Sequence, residues 1–225
     1  MLKKRLIAVL TFNDGILFRT KNFKADYRYT SNFVDLWSID ELILIDVSKK
    51  KEKKLFAELI SSFSKQCFVP ITAGGGIKTI DDADLFFKYG ADKILIGSGG
   101  LENPNLLKSI SIKYGSQSII QSIDCKKNIN DSKEYIVMKD SGLTQTNKKP
   151  LEWLQEAIKQ GAGEILINSV DNDGGLLGFD LELIKYFKDN LSCPVLLLGG
   201  CGNWNHILDL FNTTEVSAAC TQNIY

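Results

Sequence analysis

Short apolar runs alternate with amphipathic segments along the whole chain, and this alternation limits the folds that the sequence can adopt. Eight runs rich in Ile, Leu and Val begin near Arg5, Glu41, Val69, Lys93, Ser118, Glu164, Val195 and Val216. Segments of helical period lie between several of them, at 55–65, 80–89, 151–160 and 181–191. Strands buried on both faces and joined by crossover helices form parallel sheets. The pattern predicts an α/β protein, an eight-fold parallel β/α (TIM) barrel, with a doubly wound open sheet as the alternative.

The two halves of the chain repeat one another, which favours the barrel. Residues 67–76 (CFVPITAGGG) recur as 192–200 (SCPVLLLGG), and a closed barrel of two half-barrels leaves no sheet edge exposed. We expect one domain over residues 1–225. After the fifth run the pattern breaks into a short apolar stretch, a turn at 140–142 and a polar return. We therefore expect residues 125–149 to form a β-hairpin inserted over the barrel mouth.

The sequence ends at Tyr225, directly after the eighth run. We therefore expect the last helix of the barrel to be missing. An apolar strip should then be exposed over the seam between the last strand and the first.

Composition excludes several classes of function. Lys+Arg and Asp+Glu are both 27, so no overall field favours nucleic acid or an acidic membrane surface. Five cysteines without a C-x-x-C pair and a single histidine, His206, predict no metal site. No apolar run reaches the roughly 18 residues of a spanning helix, and the first is too short for a signal sequence. We expect a soluble cytoplasmic protein that uses no cofactor and binds neither nucleic acid nor membrane.

Glycine clusters mark the strand ends at which barrel active sites lie. They follow strands three, four, six and seven, at Gly74–Gly76, Gly97–Gly100, Gly174–Gly175 and Gly199–Gly200. Glycine lets the backbone approach an anion closely, and a following helix offers free amides. The clusters predict a small substrate with a phosphate at each end. For any one cluster, an ordinary tight turn is the alternative.

Aspartates at strand ends supply candidate acids and bases. They are Asp46, Asp124, Asp171 and Asp173. No histidine falls at these positions, so proton transfer would depend on a carboxylate. The alternative is that each caps a helix or binds loop amides. Asp124 is the strongest candidate, because strand alternation places it on the same face as Ser118, Ile120 and Ser122.

Charged residues also begin four of the runs. They are Arg5, Glu41, Lys93 and Glu164, and each has the parity of the inward-facing set. Two cations and two anions there predict a ring that closes the barrel floor, whereas the alternative is four unrelated solvated strand ends.

A lysine run, Lys49-Lys50-Lys51 with Lys53-Lys54, follows strand two. It is either a solvated loop or a surface that steers an anionic substrate.

Four segments resemble the cyclase subunit of imidazole glycerol-phosphate synthase. They are VPITAGGGIKTIDDADLFFKYGADKILIGS (69–98), SIDCKKN (122–128), GAGEILINSVDNDGGLLGFDLELI (161–184) and PVLLLGGCGN (194–203). The similarity runs nearly end to end. It implies a barrel that receives ammonia from a glutaminase docked on its bottom face. That barrel closes an imidazole ring on a ribulosyl carboxamide nucleotide bearing two phosphates.

The resemblance also implies roles for individual residues. It assigns Gly76 and Ser98, with Gly75 beside them, to one phosphate site. It assigns Asp173, Gly174, Gly200 and Asn223, with Gly199 beside them, to the other. The ring of Arg5, Glu41, Lys93 and Glu164 matches the family's gate at the ammonia entrance.

The departures from the family concern its chemistry. The family has two catalytic aspartates, which end strands one and five. Asp124 matches the second, but Thr11 stands where the first is expected, and threonine cannot act as a general acid or base near neutral pH. Arg19 replaces the usual lysine of loop one, Gly97 replaces an asparagine, and the segment 24–38 is short.

A paralogous branch of the family works in surface-polysaccharide synthesis. There a similar barrel and its glutaminase feed ammonia to a third protein that amidates a sugar. The segment VLTFNDGILFRTKNFK (9–24) resembles that branch, whose members lack the strand-one aspartate. The resemblance therefore predicts this role, with a glutaminase and a sugar-amidating enzyme as partners. A histidine-pathway cyclase and a non-catalytic glutaminase scaffold are the alternatives.

Overall fold

Eight parallel strands close into a barrel in the computed structural model, which describes residues 3–21, 24–26 and 39–222. The wall consists of β1 (Arg5–Asn13), β4 (Glu41–Asp46), β5 (Ile71–Gly74), β6 (Lys93–Ile96), β7 (Ile119–Asn128), β10 (Glu164–Ser169), β11 (Val195–Leu198) and β12 (Ala218–Thr221). Each wall strand has two parallel neighbours, because β1 pairs with both β12 and β4 and β7 pairs with both β6 and β10. The predicted TIM barrel is confirmed, and the open sheet is wrong.

Seven helices of the described residues cover or connect the wall. They are α1 (Lys53–Ser64), α2 (Ile80–Lys88), α3 (Ser98–Glu102), α4 (Asn105–Tyr114), α5 (Pro150–Lys159), α6 (Leu181–Phe187) and α7 (Trp204–Thr213). Local capping explains two of their starts. Thr79 accepts the Asp82 amide at the start of α2, and Asp180 accepts the Leu183 amide at the start of α6. The four helical segments expected from periodicity correspond to α1, α2, α5 and α6.

Side-chain alternation along the wall separates two apolar cores. Inward-facing residues such as Ile43, Ile120 and Leu166 fill the barrel, whereas their neighbours Ile165 and Ile167 pack outward against the helices. Because every second residue points inward, the first residues of the strands meet at the floor and the last inward residues meet at the mouth.

Two antiparallel hairpins extend wall strands above the mouth. In the first, β2 (Ile16–Lys21) pairs with β1 through a turn at Asp14-Gly15, and then with β3 (Lys24–Asp26). An Asp-Gly pair between apolar residues is a strong hairpin signal, which the sequence analysis overlooked.

The second extension is a three-stranded antiparallel meander. In it β8 (Asp131–Lys139) pairs with β7 and then with the two-residue β9 (Thr144–Gln145). The sequence predicts one turn here, at 140–142, but the chain also turns at 129–130, where β7 ends and β8 begins. At the second turn the Asp140 amide donates to Ser98 Oγ at 3.1 Å, and Lys139 forms an ion pair with Glu102 at 3.2 Å. The hairpin tip is therefore attached to α3 at the edge of the mouth.

The seam between β12 and β1 does not carry the exposed apolar strip that we expect there. Ala8 and Ala219, which face outward at the seam, have no exposed surface, while Leu6 and Leu10 are partly buried. Among the described residues, no helix is long and apolar enough to cross a membrane.

Candidate functional site

Asp124 lies on the inner face of β7, at the mouth of the barrel. Its Oδ1 accepts hydrogen bonds from Asn168 Nδ2 at 3.2 Å and from Ser122 Oγ at 3.3 Å. Burial raises the pKa of Asp124 to about 6, because the two hydrogen bonds offset only part of the desolvation and Asp173 adds repulsion. A carboxyl group with this pKa exchanges its proton near neutral pH, as a general acid or base must.

Thr11 lies at the inner mouth on the opposite wall. It belongs to the inward series of β1, beside Ile45 of β4, and is 4% exposed. Since β7 lies four strands away around an eight-stranded barrel, Thr11 and Asp124 face each other across the mouth. The expected pair of acid and base groups thus has one ionisable member.

Asn168 is a mouth residue that the sequence analysis missed. It follows Leu166 in the inward series of β10 and pairs in register with Asp124. Its amide nitrogen is bound to Asp124, but its buried Oδ1 has no hydrogen-bond partner in the described part of the chain. Its inward parity at a strand end was the available signal. An unsatisfied buried acceptor is costly, so this oxygen is suited to receive a donor from a bound substrate.

The other three candidate aspartates differ in the groups that they contact. Asp46 accepts the amide of Ser48 at 2.9 Å as well as its hydroxyl, and Asp171 accepts the amide of Lys127 at 2.8 Å. Both carboxylates organise loops, as the alternative interpretation proposes. Asp173 is buried and close enough to Asp124 to raise its pKa.

The glycine clusters form two pairs of neighbouring loops at the mouth. Gly75 and Gly76 follow β5, and Ser98 begins α3 after the adjacent strand β6. A side chain at Gly75, whose φ is +114°, would place its Cβ 2.3 Å from the Asp46 carbonyl oxygen. Only glycine fits so close an approach of two loops.

The second pair of loops follows β10 and β11 and contains Gly174, Gly199 and Gly200. Gly200 has a φ of +96°, and a Cβ there would lie 2.0 Å from the Gly178 carbonyl oxygen. Two other residues of the predicted site are not placed by this geometry. Asn223 lies outside the described residues, and Arg19 lies on β2, where its backbone pairs with Asp26.

Gln121 is a second residue that the sequence analysis missed. It is fully buried on the outer face of β7, and its Nε2 donates to the Gly97 carbonyl oxygen at 3.2 Å. That carbonyl also accepts the Gly100 amide at 3.1 Å, so it points beneath α3. In a trans peptide the N–H of the next residue points the opposite way. Gln121 thereby helps to hold the Gly97–Ser98 peptide in place at the start of α3.

The floor of the barrel carries a closed ring of two cations and two anions. Arg5 bonds Glu41 at 2.6 Å and Glu164 at 2.7 Å, and Lys93 approaches the same two carboxylates at 3.2 and 2.6 Å. All four side chains are less than one fifth exposed.

The ring also determines which protonation states its members prefer. Burial alone would raise the pKa of Glu164, but the hydrogen bonds from Arg5 and Lys93 outweigh it and lower that pKa. Burial likewise disfavours the charged form of Arg5, but its bonds to both glutamates leave its pKa raised. Arg5 therefore stays protonated and Glu164 stays ionised, so the floor is closed by charge as well as by packing.

The structure shows no metal centre in the ranges that it describes. In residues 3–21, 24–26 and 39–222, no three His, Cys, Asp or Glu side chains are grouped so that they could hold an ion. His206 contributes to a loop instead, since its Nδ1 accepts the Gly202 amide at 3.1 Å.

Comparison with known proteins identifies relatives of the whole chain. The family model described as "Histidine biosynthesis protein" matches residues 9–225. A Staphylococcus aureus protein named imidazole glycerol phosphate synthase subunit HisF is 37% identical over 231 aligned residues, which cover 100% of this chain and 91% of the relative. Proteins of the same name from Streptococcus sanguinis and Streptococcus gordonii are 34% and 35% identical, with the same coverage.

Proposed function

The chain belongs to the histidine biosynthesis protein family, and from this premise we propose that it is the ammonia-using barrel subunit of a synthase that also contains a glutaminase. In this proposal the glutaminase docks on the floor, and ammonia passes through the barrel to a phosphorylated small molecule held at the mouth.

The observation that carries the proposal is the closed charged ring of the floor. Buried ion pairs cost desolvation, so a ring of four gives little net stability compared with an apolar floor. Its position suits a gate, because it lies at one end of an apolar barrel interior whose other end holds Asp124. Such an interior offers few polar partners to ammonia or to an ion such as ammonium.

At the mouth we assign proton transfer to Asp124. With a pKa of about 6 it accepts a proton from attacking ammonia or returns one to a leaving group near neutral pH. The amide of Asn168 holds its carboxylate, and the free Asn168 Oδ1 receives a hydrogen-bond donor of the substrate. The backbone amides of the Gly76, Ser98, Gly174 and Gly200 loops bind its phosphates.

Two reactions fit this machinery. The names of the relatives favour ring closure to imidazole glycerol phosphate, with the family's ribulosyl carboxamide nucleotide as substrate. Thr11 favours the second candidate, delivery of ammonia to an enzyme that amidates a surface sugar, since one of the two expected carboxylates is absent. The comparisons support the first candidate better, so we take ring closure as the reaction to be tested.

The test supplies the purified chain with the nucleotide and with either ammonium or glutamine plus the glutaminase of the same organism. Formation of imidazole glycerol phosphate supports ring closure. General acid or base catalysis contributes about 10² to 10⁴-fold, so Thr11→Asp should increase the ammonium-dependent rate if a second carboxylate limits it.

Complementation of a cell that lacks its histidine-pathway cyclase provides the matching control in vivo. Growth without histidine supports ring closure and rejects the sugar role. Absence of growth and of product, combined with stimulation of the glutaminase, supports the sugar role. Absence of any effect on the glutaminase rejects the proposed function altogether.

A further inference from the structure

The lysines that follow β4 do not share one environment. Lys50 is exposed and pairs with Glu52 at 2.8 Å, whereas Lys53 pairs with Asp82 at 2.6 Å. Lys51 is partly buried and forms no ion pair within the described residues. The run is therefore neither a uniformly solvated loop nor a uniform positive surface.

Lys51 reaches from its own loop, after β4, to the adjacent loop after β5. Its Nζ donates to the backbone carbonyl of Asp46, the last residue of β4, at 2.7 Å. Its stem lies over Gly76, since a Cβ built on that glycine would be 2.9 Å from Lys51 Cγ and 3.3 Å from Cε. The position of Gly76, with a φ of +71°, thus leaves room for this one lysine side chain.

The cation is poorly compensated where it lies. Burial lowers the pKa of Lys51, and the nearby Asp46 carboxylate offsets this only in part. An ammonium group has three donors, and within the described residues one of them has a partner. A partly dehydrated cation with donors to spare is stabilised by an anion at the mouth.

Three backbone amides at the start of the neighbouring helix α2 already have hydrogen-bond acceptors within the protein. At the start of α2, the Lys78 and Thr79 amides already donate to the Asp82 carboxylate, and the Asp82 amide donates to Thr79. These three amides at the start of α2 are therefore not available to a phosphate, which leaves the amides of the Gly76 and Ser98 loops and any nearby cation to hold it.

We propose that Lys51 is the cationic contact of the mouth for a phosphate group of the substrate, bound over Gly76. The inference rests on the proposed function, since it assumes that a phosphorylated substrate binds at the mouth. It adds to that function a residue that the family resemblance does not assign. On arrival of the phosphate, the ammonium group donates two hydrogen bonds to it and keeps the Asp46 carbonyl as its third partner.

The experiment measures binding of inorganic phosphate to the full chain by calorimetry, and by the amide signal of Gly76 in NMR. Lys51→Met keeps the apolar stem over Gly76 and removes the charge, Lys51→Arg keeps the charge, and Lys50→Met is the matched exposed control. We expect Lys51→Met to weaken phosphate binding about tenfold or more and to abolish the Gly76 shift. Lys51→Arg should retain most of the affinity, and Lys50→Met all of it.

Each result decides the matter. Equal affinity of the wild type and Lys51→Met overturns the inference and leaves the anion-binding mouth in place. Absence of phosphate binding by the wild type overturns both. If Lys51→Met does not fold, Lys51→Gln is measured in its place. Equal losses of phosphate affinity in the Lys50 and Lys51 variants would indicate a non-specific attraction to positive charge and would also overturn the inference.

Discussion

Lys93→Met tests whether the floor ring is a coupled unit. The substitution removes contacts of 3.2 and 2.6 Å to two carboxylates that are each 9% exposed. Removing one partner of a buried pair costs about 3–5 kcal/mol. Because Arg5 still contacts both glutamates, we expect the lower end, about 3 kcal/mol, which is about 6–12 °C in Tm for a chain of this length.

The pH dependence of that loss follows from Glu164. Its pKa is lowered in the folded protein from an ordinary value of 4.5, so its ion pairs stabilise the fold above pH 4.5. This stability is lost as the pH falls through the lowered folded pKa. Lys93→Met should therefore be most destabilising near neutral pH, and its deficit should shrink in acid.

Urea unfolding at pH 7 and at pH 4 measures both effects. The control is Lys113→Met, which breaks an exposed ion pair of the same length, 2.6 Å to Asp84, and should change the stability little. Equal losses in the two variants, or a Lys93 deficit that does not depend on pH, would refute the coupled ring. With the glutaminase present, Lys93→Met should also separate glutamine hydrolysis from use of its ammonia.

Asp124→Asn should stabilise the protein at pH 8 by about 1–3 kcal/mol, because a carboxyl pKa raised from 3.8 to about 6 makes the charged form costly. The gain should vanish below pH 3.8 in thermal melts, and a gain independent of pH would contradict this origin. Gly200→Ala should cost about 2–4 kcal/mol in urea unfolding, since φ is +96° and the new Cβ would strike the Gly178 carbonyl; an unchanged midpoint would disprove the required close approach. Gln121→Met should change the free energy of unfolding by no more than about 1 kcal/mol but weaken phosphate binding in calorimetry, because Gly97 loses its side-chain donor; unchanged affinity would contradict that role.

Local features of the sequence were sufficient to predict the wall of the barrel and which candidate residues lie at its floor and its mouth. Strand alternation is a property of neighbouring residues, so parity alone placed Arg5 and Glu164 at the floor and Asp124 at the mouth. Helix starts are equally local, because the Asp180 side chain caps α6 from the position just before its first residue. The Asp14-Gly15 turn was also within reach of sequence reasoning.

Contacts between distant segments were decided only by the tertiary structure. The pairing of β12 with β1 closes the barrel and joins the two ends of the chain. Lys51 rather than Lys50 lies at the mouth because its side chain packs on Gly76 of the adjacent loop. The pKa of Asp124 is likewise set by burial against groups of another strand. A sequence fixes the periodicity and chemistry of each segment. The distances that determine desolvation, charge pairing and hydrogen bonding exist only after segments far apart in the chain have packed together.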